Sequence, residues 1–532
     1  METVVGIDLG TTFSTVAFVD EKTGRAEVII DPENQRKVTP SVVMFEDSNN
    51  IIVGEIAKQN AVAEPTKVVE FVKEYIGRAK NDPDNGWSFK FAGKSYSAQE
   101  ISAFIISKLK QDAENRLGTP INKAVITVPA YFTEAKRSAT KEAGQIAGLE
   151  VLAILDEPMA AAMAYGLDRL GENQTVFVFD LGGGTFDVTI IEIKGNEINE
   201  LAIDGDPKLG GKDWDNALIN HAAAAFQAKY GHDPLEELSS YQDLQLRVIR
   251  AKEELSRRPK SRIMVGSRGD SLLVELTREK FEELTNHLVE RCRSTCEMVM
   301  TEAKKTWQDI DTVLLVGGAT RMPMIANMVQ QISGKNHFKD LNPDECVVQG
   351  AAWQALMLHL QKASAEDEKE WKKKNPALIQ KVKEIKVRNI TSHDLGVIAL
   401  DQSRRRRSFL MINKGTPVPC EKVDSTFGVE KAGQSSVRIS VTEGGLYMGD
   451  DNCDPAECHV LGEVVIQDLP PLPENSPIEV TLRFNENKIL EVMGRDVVSG
   501  KSASAEIAHP GGLTEEELNE ASENLKRTSI TS

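Results

Sequence analysis

The sequence has little cysteine, a deficit of positive charge and no long hydrophobic run, and each shortage excludes a class of protein. Six cysteines in 532 residues cannot staple a chain of this size. Cys292 and Cys296 fall on a helical pattern, while Cys453 and Cys458 lie in a loop without a partner Cys or His at zinc spacing, so free thiols are expected rather than a metal site or disulfides. No stretch is long and apolar enough to cross a bilayer, and residues 1–3 lead into a strand without a signal-peptide pattern, so a cytoplasmic setting is expected. Lys and Arg number 63 against 81 Asp and Glu, a net charge of −18. That balance would repel a phosphate backbone and argues against broad nucleic-acid binding, although one nucleotide can still be held by N–H groups and a cation.

What is present is globular. Hydrophobic residues make up 40% and charged residues 27%, as in folded domains generally, and the length suffices for three or four of them. The organising stretch is Phe177 to Val188, an apolar strand that runs through Asp180 and Leu181 into Gly182, Gly183 and Gly184, then through Thr185 and Asp187 into a second strand. Glycines without a Cβ let backbone N–H groups close on an anion, and the flanking aspartates suit a metal beside it. Taken alone, the stretch reads equally as an ordinary Gly-rich hairpin turn. The grammar recurs, however, at Val4 to Ala17, where Asp8-Leu9-Gly10-Thr11-Thr12-Phe13 joins two apolar strands. A third strand meets a glycine pair at Gly317-Gly318-Ala319. Together these suggest a duplicated α/β unit whose two lobes face one nucleotide.

Between the repeats the pattern is strand and helix in alternation. A helix is expected over 98–117, a buried strand over 124–128 stopped by Pro129, a helix over 133–147, a strand over 152–157 and a helix over 159–167 opened by Pro158. Residues 68–78 carry apolar residues at helical spacing, on which Lys73 reads as a solvated helix charge. Charged residues crowd 366–374, a helix-prone connector. Beyond residue 388 short alternating segments at 395–400, 408–412, 436–441, 460–466, 478–484 and 489–492 suggest a β-sandwich. A last helix starts after Thr514, which has Glu517 three residues on, as a capping box requires.

The motifs DLGTTFS, TVPAYF, DEPMAAAMAYGLD, DLGGGTFDVT, LGGKDWDN, AKEELS, LVGGATRMP and LNPDECVVQGAA, in this order, resemble the seventy-kilodalton heat-shock chaperone family of the DnaK type. The resemblance covers residues 3–362 closely and continues more loosely through the β-rich part. It implies an actin-like (ribonuclease H-like), two-lobed ATPase domain at 1–362, a connector at 363–388, a β-sandwich domain at 389–510 that holds extended unfolded peptide, and at 511–532 a short remnant of the family's helical lid. A peptide without a lid would exchange faster. The implied function is that of an ATP-dependent chaperone in protein folding and the stress response, hydrolysing ATP to ADP and phosphate with Mg²⁺ and an accompanying K⁺. Partners implied are unfolded polypeptide, a J-domain co-chaperone and a nucleotide exchange factor.

Carried over by motif, Gly10, Thr11, Thr12 and Phe13 would meet the phosphates from one lobe, and Gly182, Gly183, Gly184 and the Thr185 hydroxyl from the other. Asp8 and Asp180 would hold Mg²⁺ largely through water. Lys73 would be the catalytic lysine, with Glu157 and Asp187 in the water network. Gly210, Gly211, Lys252, Ser256, Gly317, Gly318, Ala319, Arg321 and Asp344 would surround the nucleoside. Pro129 and Arg137 would form the switch toward the β-domain. Leu400, Phe427, Gln434, Val437 and Ile439 would line the peptide site.

The departures are specific. Ile249 stands where the family bonds the ribose through a Glu, a loss of about 1.5–3 kcal/mol for a charged hydrogen bond, and Ala319 replaces a Ser, so weaker nucleotide affinity is expected. Ala153 and Asp156 replace an Arg and an Asn in a segment used with J-domain partners. The apolar interdomain linker is replaced by Glu384 to Ile390, and four arginines, Arg404 to Arg407, read as a solvated hairpin tip. The competing readings are a pseudo-chaperone whose β-domain takes a dedicated protein partner, a small-molecule kinase on the same fold, and a nucleotide-dependent filament.

Overall fold

The computed structural model describes residues 3–531 except 33, 81, 83–85, 170, 339, 363–371, 374, 446–451, 486–487 and 507–511. The two Asp-Leu-Gly hairpins each occupy the centre of a sheet, and the two sheets share one plan. In the first, Thr3–Asp8 runs parallel to Ile121–Val128 and antiparallel to Phe13–Asp20, which turns back into Arg25–Val28. In the second, Asn173–Leu181 runs parallel to Thr312–Val316 and antiparallel to Phe186–Lys194, which turns back into Glu197–Asp206. Strands buried on both faces read as unbroken apolar runs, and Val176 to Phe179 are fully buried accordingly.

The expected helices form at Ala98–Leu117, Glu134–Ile146 and Glu157–Gly166. The first opens on a complete capping box from Ser97 and Glu100 and closes on Gly118 in the left-handed region, the arrangement that satisfies orphan N–H and C=O groups at both ends. Residues 68–78 depart from expectation. Val68–Val69 pairs as a strand with Val43–Phe45, Phe71 is left-handed (φ 57°), and only Val72–Tyr75 coils, as a 3₁₀ turn. Sheet pairing outweighs helical periodicity there, and Lys73 is turned inward rather than left in solvent.

The stretch read as a connector also departs from expectation where it is described. Helix Pro376–Glu384 buries Leu378, Ile379 and Val382 in the core around Glu157–Gly166, and Lys386–Arg388 joins the second sheet alongside Glu197–Asp206. The charged residues 363–371 lie outside the described residues. Beyond them, two antiparallel sheets enclose one core. One sheet has the order Asn452–Cys453, Arg406–Ile412, Leu395–Leu400, Val437–Glu443, His459–Ile466, and the other Cys420–Gly428, Pro477–Phe484, Leu490–Asp496, Ser502–Glu506. Val397, Val441, Leu482 and Val492 meet between them. The expected helix forms at Glu515–Lys526 behind the Thr514–Glu517 capping box. It packs on Glu134–Ile146, and Ser529–Thr531 adds a parallel strand to Asn50–Val53.

Candidate active site

The two Asp-Leu-Gly hairpins meet tip to tip. A methyl group on Gly183 would lie 2.1 Å from Thr12 Oγ1, and one on Gly184 3.0 Å from Thr11 Cγ2. Gly10 is obligatory for its own loop, since a Cβ there would fall 2.0 Å from the Phe13 carbonyl oxygen. On the other side Gly211 N–H donates to Gly182 O at 2.9 Å and Lys212 N–H to Gly183 O at 2.9 Å, which seats the start of helix Gly211–Tyr230 under the triple glycine. Gly317, left-handed at φ 81°, lies against Leu181 O and Asp180. A helix start and three glycine loops converge, as anion binding by backbone N–H groups requires.

Four carboxylates stand at the base of this junction with one lysine. Lys73 Nζ donates to Glu157 Oε1 at 2.6 Å, and Lys73 is only 4% exposed. Thr127 Oγ1 donates to Asp8 Oδ1 at 2.8 Å, and Tyr131 N–H to Asp187 Oδ1 at 3.0 Å. Burial raises all four carboxyls. Asp187 is pushed to about 8 by burial and then by the charge of Glu157, and Glu157 to about 7 by burial despite Lys73. Asp8 is raised by burial against the opposing pull of Lys73. Asp180 rises well above its ordinary value through burial and then through Glu157, Asp187 and Asp8.

Among the described residues Asp180 Oδ2 is buried with no hydrogen-bond partner, and one ammonium cannot balance four carboxyl groups. The donor set is all oxygen, which fits a hard divalent cation. No group of three or more Asp, Glu, His or Cys side chains among the described residues closes on one ion position; Asp8 and Asp180 are the carboxylates that could hold such an ion.

The nucleoside candidates gather at the rim. Lys252 Nζ donates to Gly211 O at 2.9 Å and to Asp215 Oδ2 at 2.8 Å, and Ser256 Oγ donates to Lys252 O at 3.1 Å. Arg321 bonds Asp344 Oδ2 at 2.5 Å and Asn342 Oδ1 at 3.1 Å, so these two candidates face each other across the loop that holds Gly318 and Ala319. Ile249 lies half-buried one turn before Lys252 on helix Leu238–Arg257.

Arg137 is buried beside Pro129 and donates to the carbonyls of Ala130 at 3.2 Å and Phe132 at 3.3 Å and to Asp156. Asp156 has a second cationic partner, from the β-sandwich, that no motif in the sequence marks. Lys488 Nζ donates to Asp156 Oδ2 at 2.6 Å and stands 3.7 Å from Glu200 Oε2. Burial alone would raise the Asp156 carboxyl, but Arg137 and Lys488 hold it below its ordinary value. Around this centre Glu443 accepts from Glu134 N–H at 3.1 Å, Lys414 pairs with Glu302 at 2.9 Å, and Ile390 N–H donates to Glu200 Oε2 at 3.1 Å. The signal in the sequence is Asp156 itself, standing where the resembled family has an Asn.

The peptide candidates are spread over the sandwich. Phe427 and Val437 are half-buried, and Phe427 meets Phe409 edge-on at 6.3 Å. Gln434 folds back to donate to Ser436 O at 2.6 Å, and Leu400 is exposed at the end of its strand. Ile439 lies apart from these, 3% exposed in the sandwich core beside Gly494. The arginine run is the solvated hairpin tip expected: Arg404, Arg405 and Arg406 are exposed, although Arg404 pairs with Glu474 and Arg405 with Asp401 at 3.0 Å, and only Arg407, which donates to Asn452 Oδ1 at 2.9 Å, is half-buried.

Comparison with known proteins adds a family-wide correspondence. The family model described as Hsp70 protein matches residues 4–530. The chaperone protein DnaK of Thermotoga neapolitana is 40% identical over 534 aligned positions, covering 99% of this chain and 84% of that relative. The chaperone protein DnaK of Thermotoga maritima is similar to the same extent, 40% over 99% of this chain.

Proposed function

The chain belongs to the Hsp70 family, and from that premise we propose which of its residues carry the chemistry. It is an ATP-dependent chaperone and an ATPase. In our reading the two similar sheets form the lobes of an actin-like domain over residues 1–362, extended by Pro376–Glu384 and Lys386–Arg388, and ATP lies where the glycine loops meet. N–H groups of residues 10–12 and 182–184 take the phosphates, with the Thr185 hydroxyl on the terminal one. Asp8 and Asp180 would hold Mg²⁺, which when bound offsets charge on the phosphate oxygens. K⁺ is a further cation of the same cleft.

Lys73 presents its ammonium to the attacking water and the γ-phosphoryl oxygens, since phosphoryl transfer depends on positioning and electrostatic stabilisation more than on covalent help. Glu157 orients Lys73, and Asp187 completes the network that positions the water. Lys252, Ser256, Gly317, Gly318, Arg321 and Asp344 hold the nucleoside; with Ile249 and Ala319 in place of polar groups, that grip is weak. The observation that carries the reading is the buried Lys73–Glu157 contact of 2.6 Å at the junction of two glycine hairpins.

The β-sandwich takes extended apolar polypeptide at Phe427, Val437 and Leu400, with Gln434 at the rim and Ile439 supporting the floor from within. Arg137 and Pro129 pass nucleotide state to it through Asp156 and Lys488. J-domain and nucleotide-exchange partners belong to this reading, as does a cytoplasmic setting; no helix among the described residues is long and apolar enough to cross a membrane. A small-molecule kinase would not need a sandwich tied to its catalytic domain by buried charges. Phosphate release by wild type and by Lys73→Ala, with and without an apolar peptide, tests the reading. Hydrolysis that requires Lys73 and rises with peptide supports it, and equal rates refute it.

A further inference from the structure

Two of the cysteines are placed to do redox chemistry. Cys453 ends the short edge strand Asn452–Cys453, and the chain then makes a tight turn in which Asp454 Oδ1 accepts from Ala456 N–H at 3.0 Å and Asp454 O accepts from Glu457 N–H at 3.0 Å. The turn carries Cys458 back so that its sulfur lies 3.3 Å from that of Cys453. Cys453 is buried and Cys458 half-exposed, so one thiol of the pair is reachable from solvent and the second waits behind it. The remaining thiols differ in kind. Cys292, Cys296 and Cys346 are buried in the catalytic domain and Cys420 is half-buried in the other sheet of the sandwich, and burial pushes all four above the ordinary thiol range, which depletes the thiolate that exchange requires.

We propose that Cys453 and Cys458 form a reversible disulfide, a two-electron modification site that pins the edge strand Asn452–Cys453 against strand Arg406–Ile412. The oxidant is a low-molecular-weight disulfide such as glutathione disulfide. The Cys458 thiolate attacks one sulfur of the oxidant, releasing one thiol and leaving a mixed disulfide. Cys453 then attacks the Cys458 sulfur, and the second thiol leaves with its electron pair and a proton. Two protein thiols give up two electrons and two protons, and the oxidant becomes two thiols.

The pinned strand matters because of its neighbours. Cys453 and Asn452 pair with Ser408 and Phe409, and the Phe409 ring lies edge-on to Phe427. Asn452 also accepts from Arg407 Nε at 2.9 Å, so the last two arginines of the run lie on the strand that the bridge would hold. The bridge itself does not depend on the peptide-binding reading, and its test is independent of it.

The full chain is equilibrated with glutathione disulfide at about pH 8, near the ordinary thiol pKa. It is then quenched in acid, unfolded, alkylated and weighed intact, alongside Cys453→Ser and Cys458→Ser. The proposal expects wild type to lose two alkylatable thiols without gaining glutathione, dithiothreitol to restore both, and Cys453→Ser to stop at the glutathione adduct on Cys458. Wild type that keeps both thiols, or that stops at the adduct, overturns the bridge. In the bridged form the amides of 406–412 are expected to exchange about fivefold more slowly, as tethering suppresses local opening. Unchanged exchange there in a bridged protein overturns the pinning.

Discussion

Lys488 of the β-sandwich and Asp156 of the catalytic domain, 332 residues apart in sequence, form a buried ion pair of 2.6 Å at the point where the two regions meet. Removing one partner of such a pair leaves a desolvated charge behind, and among the described residues Asp156 then keeps the Arg137 pair. Lys488→Ala is therefore expected to weaken docking by about 2 kcal/mol, the lower part of the range for truncated buried pairs. The reporter is the Ile390 amide, which donates to Glu200 at this centre. Its hydrogen exchange is expected to quicken about tenfold or more as docking opens, and an unchanged rate would mean that the pair contributes nothing to docking.

Lys73 gives a prediction about rate rather than stability. Its ammonium is buried against Glu157, and deleting a preorganised positive group costs about 10²–10³ in turnover. Lys73→Ala is expected to lower single-turnover ATP hydrolysis by that factor while nucleotide affinity changes little, because the phosphate loops are untouched. A loss of affinity equal to the loss of rate would assign Lys73 to ground-state binding instead.

Gly210→Ala tests the glycine junction itself. Its Cβ would lie 2.4 Å from the Cα and the N of Gly184, so backbone must shift where the phosphates would sit. Affinity for ADP with Mg²⁺ is expected to fall by about tenfold or more, the effect of losing even about 1.4 kcal/mol of contact, and unchanged affinity would place the phosphates elsewhere.

Asp187 gives a pH dependence with a defined sign. Its carboxyl is raised from 3.8 to about 8 by burial and by Glu157. Between those values the folded protein keeps a proton that the unfolded chain has lost, so this group makes stability fall as pH rises and contributes no further change above about 8. Asp187→Asn cannot titrate. Without nucleotide, the wild-type melting temperature is expected to drop relative to the variant between about pH 5 and about pH 8, the two curves approaching at the acid end. A pH-independent offset would contradict the shift.

The parts of this molecule legible in its sequence are those governed by local rules. The glycine hairpins, helix Ala98–Leu117 with its capping box and strand Leu395–Leu400 follow from periodicity, caps and turn chemistry. Lys73 could not be placed that way. Its segment shows helical spacing, but pairing of Val68–Val69 with a distant strand sets the backbone and turns the ammonium inward. The charged connector misled for a related reason: its composition is polar overall, yet Leu378, Ile379 and Val382 share one face and bury it. Lys488 carries no local signal, because its role depends on Asp156 and Glu200 being brought to it by the tertiary fold. Cys453 and Cys458 read from sequence as loop thiols, because spacing alone does not say that the turn between them brings the sulfurs into contact.

The central claim is that nucleotide at the glycine junction controls peptide held by the sandwich, through the buried charges between them. The dissociation rate of a fluorescent apolar peptide from the full chain, measured with and without ATP and Mg²⁺, tests it most directly. The account predicts release about tenfold or more faster with ATP, a coupling of about 1.4 kcal/mol or greater, and a loss of that acceleration in Lys488→Ala. Release at the same rate with and without ATP would contradict it.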